Sequence, residues 1–328
     1  MDDLFNKIIF RALSQKATDI HFTLMKQLSI QFRIFGELRQ YEFLEYDKGS
    51  KVMNYIKYKS MINTNYKLMP QTGHFYIEIQ NKQYDLRISY LPSAHFESIV
   101  IRILNNHEIL SIDKLTHQCD VKDYLYWLVH QETGLFLISG ATGSGKSTTL
   151  YTLIKEISRY GNKNIITIED PIEVHIEGCL QIELNEKVGI TYHDTLKQIL
   201  RHDPDVIMIG EIRDEKTAKI AVTCALTGHL VLTTIHASNA SLSMKRLMNL
   251  GVSQVDIIDI MLGAISQRIK FDKENEKVIV LSEFMTKKHI IDYIEKNRHS
   301  YLSFKDQAKH LINNGMSEYL FDRELSYE

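Results

Sequence analysis

The run Gly140-Ala141-Thr142-Gly143-Ser144-Gly145-Lys146-Ser147 fits the pattern G-x-x-x-x-G-K-[ST], a loop whose backbone N–H groups can cradle phosphate. Glycines let the backbone wrap an anion, and a helix opening straight after the loop adds its positive end. In that arrangement Lys146 reaches the β- and γ-phosphates and the Ser147 hydroxyl ligates Mg²⁺, with Thr148 completing the nucleotide-binding candidates. The pattern has this meaning only between a strand and a helix. Leu135–Ser139 is a continuous apolar run, as in a strand buried on both faces, and Lys146–Ser158 reads as helix stopped by Gly161.

Phosphate chemistry also needs acids at the ends of neighbouring strands. Val206-Ile207-Met208-Ile209 is an apolar run ending in Gly210-Glu211, and Asn164–Ile168 ends in Glu169-Asp170. Glycine stands at 210 where an aspartate is common, which leaves Mg²⁺ to Ser147, the phosphates and water, and leaves Glu211 to position or deprotonate the attacking water. Parallel α/β sheets bind ligands at the carboxyl ends of their strands, so Gly140, Glu169 and Glu211 are expected at one edge. The next buried run, Leu230–Ile235, is flanked by His229 and His236. Either reads as a hydrogen-bonded structural histidine, or, for His236 at the end of the strand, as an imidazole beside a γ-phosphate.

These strands alternate with helical patterns at Tyr192–Arg201 and Thr217–Leu226, which implies a parallel sheet with helices on its faces. No proline follows Pro204, and the last 120 residues read as mostly helical. The first hundred residues have a different rhythm. Leu4–Leu13 is apolar at helical spacing, with a strand from near Ile20. Ile30–Phe35 turns at Gly36-Glu37, and Phe75–Ile79 pairs with Tyr84–Tyr90 around Gln80–Gln83. Within Tyr84–Tyr90 the apolar set leaves Arg87 on the opposite face, and the same parity turns Arg102 away from Ile99, Ile101 and Ile103. Such arginines read first as solvated charges. The divisions are 1–105, a linker over 106–119, and 120–328.

Composition excludes several classes. At 44% hydrophobic and 24% charged, the 328 residues are those of a globular protein rather than a disordered or fibrous one. Thirty-nine basic against 41 acidic residues give a net charge of −2, so no basic excess points to nucleic acid. Cys119, Cys179 and Cys224 form no CxxC pair, which gives no support to a zinc ribbon or a disulfide framework. Asp2 and Asp3 stand where a secretory leader is positive, and no long apolar span follows, so a cytoplasmic location is expected.

Four boxes in order resemble the ATPases of the type II secretion and type IV pilus superfamily: SGATGSGKSTTLY, ITIEDPIE, LRHDPDVIMIGEIRDEKTA and TGHLVLTTIHASNA. ATDIHF, RIFGELR and YDLRISYLPSAHFESIVIRIL are similar to that family's PAS-like N-terminal domain, with Phe96 in place of a usual glycine. The resemblance spans about Thr18 to Arg268. It implies a RecA-like P-loop ATPase domain with a smaller PAS-like α+β domain. It also implies that Glu211 and Glu169 are catalytic acids and that His229 and His236 lie on the γ-phosphate side. Arg87 and Arg102 match arginines that swing onto the nucleotide, and Arg201 and Arg213 are weaker candidates for the same cleft. It further implies a ring homo-hexamer that works with a polytopic inner-membrane platform protein, uses Mg²⁺ and ATP, and lies at the inner face of the membrane.

Within the superfamily, the long type II ATPases carry an N-terminal docking domain and a four-cysteine zinc module after the histidine box. This chain begins at the PAS-like segment and has no cysteine after Cys224. Retraction ATPases usually carry an AIRNLIRE-like motif where this chain reads ISQRIKFDKENEKVIVLSEFMT. The combination is most similar to the competence pseudopilus assembly ATPases of Gram-positive bacteria. No zinc and no direct nucleic-acid contact are expected. Pilus retraction, type II protein secretion and a nucleotide-gated scaffold with little turnover are the alternatives.

Overall fold

A computed structural model describes residues 1–65, 68–104, 109–185, 190–272, 275 and 277–325. The chain forms two compact units, Met1–Glu108 and Ile109–Glu328. The expected linker, 106–119, falls in part on 106–108, outside the described residues. Its remainder is not a free connector. Ile112 and Leu115 are buried in the core of the second unit, and a helix starts at Cys119.

The first unit runs α1 (Asp2–Ser14), β1 (Ala17–Leu24), β2 (Gln27–Ile34), β3 (Glu37–Glu45), α2 (Tyr46–Lys59), β4 (Gln71–Ile79), β5 (Lys82–Pro92) and β6 (Glu97–Ile103). Its antiparallel sheet has the order β3-β2-β1-β6-β5-β4. Two-residue turns with positive φ, Phe35-Gly36 and Gln80-Asn81, close the β2–β3 and β4–β5 hairpins, a geometry that matches the right-handed twist of paired strands. The first helix ends at Ser14, Lys16 turns the chain at a φ of 57°, and β1 starts at Ala17, ahead of the Ile20 expected from the sequence. Phe5, Ile8, Ile9 and Ala12 of α1 and Val52, Met53 and Ile56 of α2 bury their apolar stripes on one face of the sheet. Each fully buried aliphatic contributes about 1.5–3 kcal/mol of transfer free energy. The opposite face is polar.

The second unit runs α3 (Ile112–Leu115), α4 (Cys119–Leu128), β7 (Gly134–Gly140), α5 (Lys146–Ser158), β8 (Ile165–Glu169), β9 (Cys179–Glu183), α6 (Tyr192–Ile199), β10 (Val206–Ile209), α7 (Glu215–Leu226), β11 (Leu230–Ile235), α8 (Ala240–Asn249), α9 (Gln254–Ile260), β12 (Met261–Asp272), β13 (Lys277–Thr286), α10 (Lys287–Lys296) and α11 (Phe304–Asn313). A 3₁₀ turn (Glu318–Phe321) and α12 (Asp322–Leu325) follow. The sheet order is β13-β12-β7-β11-β10-β8-β9, parallel except for β13.

Successive strand residues feed opposite cores. Leu135, Leu137, Ile207, Ile209 and Val231 pack with α6–α9, whereas Phe136, Ile138, Val206, Met208 and Leu230 pack with α3–α5. That double burial is why these strands read as unbroken apolar runs. The expectation of a mostly helical C-terminal part is overturned by the β12–β13 hairpin. Met261 and Gly263–Gln267 are all buried, so β12 shows no alternation, and a short run of that kind does not distinguish strand from helix. No described helix is long and apolar enough to cross a membrane.

Candidate active site

Strand β7 delivers Gly140 to the carboxyl edge of the sheet, and the next five residues turn back into α5. The loop cannot carry side chains where the chain doubles. Gly140 has a φ of 146°, and a Cβ there would lie 2.3 Å from Ser144 Oγ and 2.6 Å from the Gln267 carbonyl. Gly143 and Gly145 also have positive φ. Lys146, first residue of α5, donates to the carbonyls of Gly140 at 3.0 Å and Ala141 at 2.9 Å. Burial pulls its pKa down, and the charges of Glu211 and Glu173 act in the other direction. Ser147 and Thr148 are half-buried behind it, and Thr149 donates to Gln267 Oε1 at 2.9 Å, fastening α5 to β12.

Glu169 ends β8 and is buried. Thr167 Oγ1 at 2.6 Å and Gln181 Nε2 at 3.0 Å donate to one oxygen, and the Tyr151 hydroxyl on α5 donates to the other. Burial raises its pKa, and the three donors oppose that rise. Tyr151 also accepts from the Glu173 amide at 3.0 Å, tying α5 to the segment after β8.

Glu211 follows β10. Arg213 bonds one oxygen, and His236 Nε2 lies 3.1 Å from the other. Arg213 also reaches Asp170 at 3.2 Å. Burial works against the Arg213 charge, but Glu211 and Asp170 outweigh it and hold its pKa above the usual value. Gly210 is set by space: a Cβ would stand 3.2 Å from the Ile168 carbonyl and 3.4 Å from the Tyr192 hydroxyl. The three strand ends are tied together, with Gly210 N donating to Ile168 O, Thr234 Oγ1 to Gly210 O and Ile212 N to Thr234 O.

His236 thus joins the acids. His229 does not. Strands β7 and β11 run parallel in register from Gly134 and Leu230 to Ser139 and Ile235, so His229 lies at the amino edge, the whole length of β11 away from His236. At about 3.3 Å per residue the seven steps from His229 to His236 span about 23 Å. There His229 Nδ1 sits 2.9 Å from the Cys224 carbonyl and 3.1 Å from Thr227 Oγ1, which is a structural role, and the γ-phosphate-side expectation is corrected. Arg201 also precedes its strand rather than following it, and bonds Gln198 in the turn after α6. Of the two flanking arginines, only Arg213 reaches the acids.

Arg87 and Arg102 belong to the first unit, on its polar face as parity required. They are direct cross-strand partners in a row that reads Arg33, Asp19, Arg102, Arg87, His74 across β2, β1, β6, β5 and β4. Asp19 is buried between Arg102 at 2.8 Å and Arg33 at 4.0 Å. Arg87 and Arg102 are like charges placed opposite each other, an unfavourable arrangement that the Asp19 carboxylate offsets on the Arg102 side.

Sequence reasoning missed Tyr151, Gln181 and Gln267. Tyr151 stands in the quoted loop box, one helical turn beyond Ser147, and that spacing was the available signal. Gln181 and Gln267 lie on strands that had not been identified. Chemically, the edge collects loop amides and a lysine on one side and an acid pair with a histidine on the other.

The description "Type II/IV secretion system protein" matches residues 1–307. The chain belongs to that family. It is 36% identical over 270 residues to the competence protein ComGA of Bacillus subtilis, covering 82% of this chain and 76% of that protein. It is 38% identical over 268 residues to type II secretion system protein E of Dickeya dadantii, covering 81% of this chain but 54% of that one. The chain therefore spans about half the length of such type II relatives. The crystal structure of the pilus retraction motor PilT with bound ADP matches with a TM-score of 0.75 and 26% identity, over 97% of this chain and 96% of that one. The Legionella pneumophila ATPase DotB shares the fold, with a TM-score of 0.83 at 21% identity, over 98% and 95% of the two chains.

Proposed function

We propose that the chain is a P-loop ATPase, with a RecA-like core and a PAS-like first unit, that works as a ring hexamer on a membrane platform protein to drive assembly of a pseudopilus for DNA uptake. The observation that carries the ATPase reading is the convergence of the 140–147 loop, Glu169, Glu211 and His236 on one sheet edge. Assembly for competence is supported by the 36% identity to ComGA and by the cysteine-free run from α8 through β12, where long type II ATPases carry their zinc module. A retraction motor is the second reading, favoured by the likeness to PilT along nearly the whole chain.

The phosphate chain lies on the loop amides, and Lys146 exchanges two neutral carbonyl acceptors for charged oxygens. Charge-assisted bonds of that kind are about twice as strong as neutral ones. The oxygen donors suit a hard cation: Ser147 would hold Mg²⁺, which neutralises charge on the phosphates when bound. Glu211 then receives the proton of the attacking water as the γ-phosphate leaves ADP. Both Glu211 oxygens are engaged, so one contact must yield first, and the γ-phosphate is the competing anion for Arg213. Glu169 holds Tyr151 and through it the start of α5. Arg87 and Arg102 supply cations to the nucleotide phosphates, Arg102 being already paired with Asp19.

Lys146→Ala tests the reading in purified protein supplied with its membrane partner, where ATP turnover should disappear while the thermal transition is retained. Turnover equal to the unaltered chain would remove the site. In cells, Glu211→Gln should abolish both surface pilin and DNA uptake, whereas retained or increased surface pilin would select retraction.

A further inference from the structure

The loop that presents His236 to Glu211 is anchored at two points by side chains from β12 and β13, on the far side of the phosphate loop. Arg268 on β12 donates from Nη2 to the Ser238 carbonyl at 3.1 Å. Its Nη1 donates to Glu324 Oε1 at 2.9 Å, and its guanidinium stacks 4.2 Å over the buried Phe304 ring. The Glu324 side chain is fully buried and takes Lys270 Nζ at 2.7 Å on its other oxygen. Glu283 on β13 accepts from the Ala240 amide and the Phe304 amide, each at 2.9 Å. The segment from His236 to Ala240 is thereby fixed two and four residues beyond the histidine. Register explains the reach: Gln267 lies beside Gly140, so Arg268 is the next residue along β12 and faces α8 rather than α5.

We infer that Arg268 is a positioning residue for His236, acting through the Ser238 carbonyl and held in place by Glu324 at the C-terminal end of the fold. This rests on the ATPase reading only for its kinetic part. A planar guanidinium can serve Ser238 and Glu324 together, and a lysine has no such fork. Positional errors of about 1 Å introduced from outside the reacting groups can cost about 100-fold in rate.

The test has a readout that needs no turnover. In ligand-free protein with isotope-labelled histidine, the ring signal of His236, assigned with His236→Gln, should move and broaden in Arg268→Gln, while that of His229 stays in place. Glu324→Gln, nearly isosteric, should move the same signal by a smaller amount and serves if Arg268→Gln does not fold. A His236 signal unmoved in the folded variant overturns the inference. In turnover, Arg268→Gln should lose roughly 10- to 100-fold in kcat with little change in KM. Arg268→Lys should recover part of that loss, and Arg268→Gln/His236→Ala should be no slower than His236→Ala. Multiplying losses would overturn the inference, since they mean that Arg268 acts apart from His236. A wild-type chain without turnover would instead remove the proposed function and leave the spectroscopic test standing.

Discussion

Tyr151→Phe removes a single hydroxyl and should be felt at Glu169. The hydroxyl donates to the buried carboxylate and accepts from the Glu173 amide, so the variant takes away one of three donors to Glu169 and strands an N–H. A hydrogen bond to a charged group contributes about 1.5–3 kcal/mol, and a neutral one about 0.5–1.5 kcal/mol. For a unit of this size, each kcal/mol moves the transition by about 2–4 °C, so the loss with Glu169 ionised is about 3–12 °C.

The pH dependence has a definite sign. Burial holds the Glu169 pKa above 4.5 in the fold, so its folded form binds a proton more tightly than the unfolded chain. Its contribution to stability is therefore most favourable below the unfolded value and is lost as pH rises through the folded pKa. Removing a donor that lowers that pKa pushes it further up. The cost of Tyr151→Phe should accordingly be larger at about pH 8 than at about pH 5. Trp127, the sole tryptophan, lies on α4 and packs on Tyr124 beside the core that holds Tyr151, so its fluorescence follows this unit. Equal losses at the two pH values, or a shift below about 2 °C at the higher one, would refute the argument that Tyr151 stabilises an ionised Glu169.

The two histidines should separate by assay. His229→Ala should cost about 1 kcal/mol through its contacts with Cys224 and Thr227, leaving turnover intact, whereas His236→Ala should leave the melt and lower kcat at least about tenfold. Equal kinetic losses would mean that the amino edge takes part in the reaction. Gly210→Asp, which restores the common acid, should lower stability by about 1–3 kcal/mol because its Cβ crowds the Ile168 carbonyl and the Tyr192 hydroxyl. An unchanged melt with faster turnover would show that the glycine is not imposed by space.

Much of the second unit was legible because burial on both faces leaves an unmistakable mark. Val206–Ile209 and Leu230–Ile235 begin and end where their apolar runs do, and Lys146–Ser158 is the helix its spacing implies. The same mark misled at β12. There the buried run carries Gly263, Ser266 and Gln267 and sits between helical patterns, so neither period nor flanking turns gave it away. Strand β9 escaped for the opposite reason. It is a half-exposed edge, Cys179–Glu183, with too little burial to impose a pattern. The linker failed because isolated apolar residues such as Ile112 and Leu115 have no period over so short a span, yet both are buried.

At the site, the residues read correctly were those whose place follows from strand direction. A parallel strand gives its last residue to the ligand edge and its first to the other, which is enough to put Gly140, Glu169, Glu211 and His236 together and to send His229 away. The histidine pair was read as one feature because it brackets one strand, and the length of that strand is the argument against it. Direction is local information, carried by the run itself. What the sequence could not carry is which side chains from distant elements close over the edge. Tyr151 reaches Glu169 across a helix–strand interface, and Arg268 reaches Ser238 only because β12 lies beside β7. Such contacts depend on sheet order, and the order in which β12 returns to flank β7 is set by packing of the whole unit rather than by any segment of it.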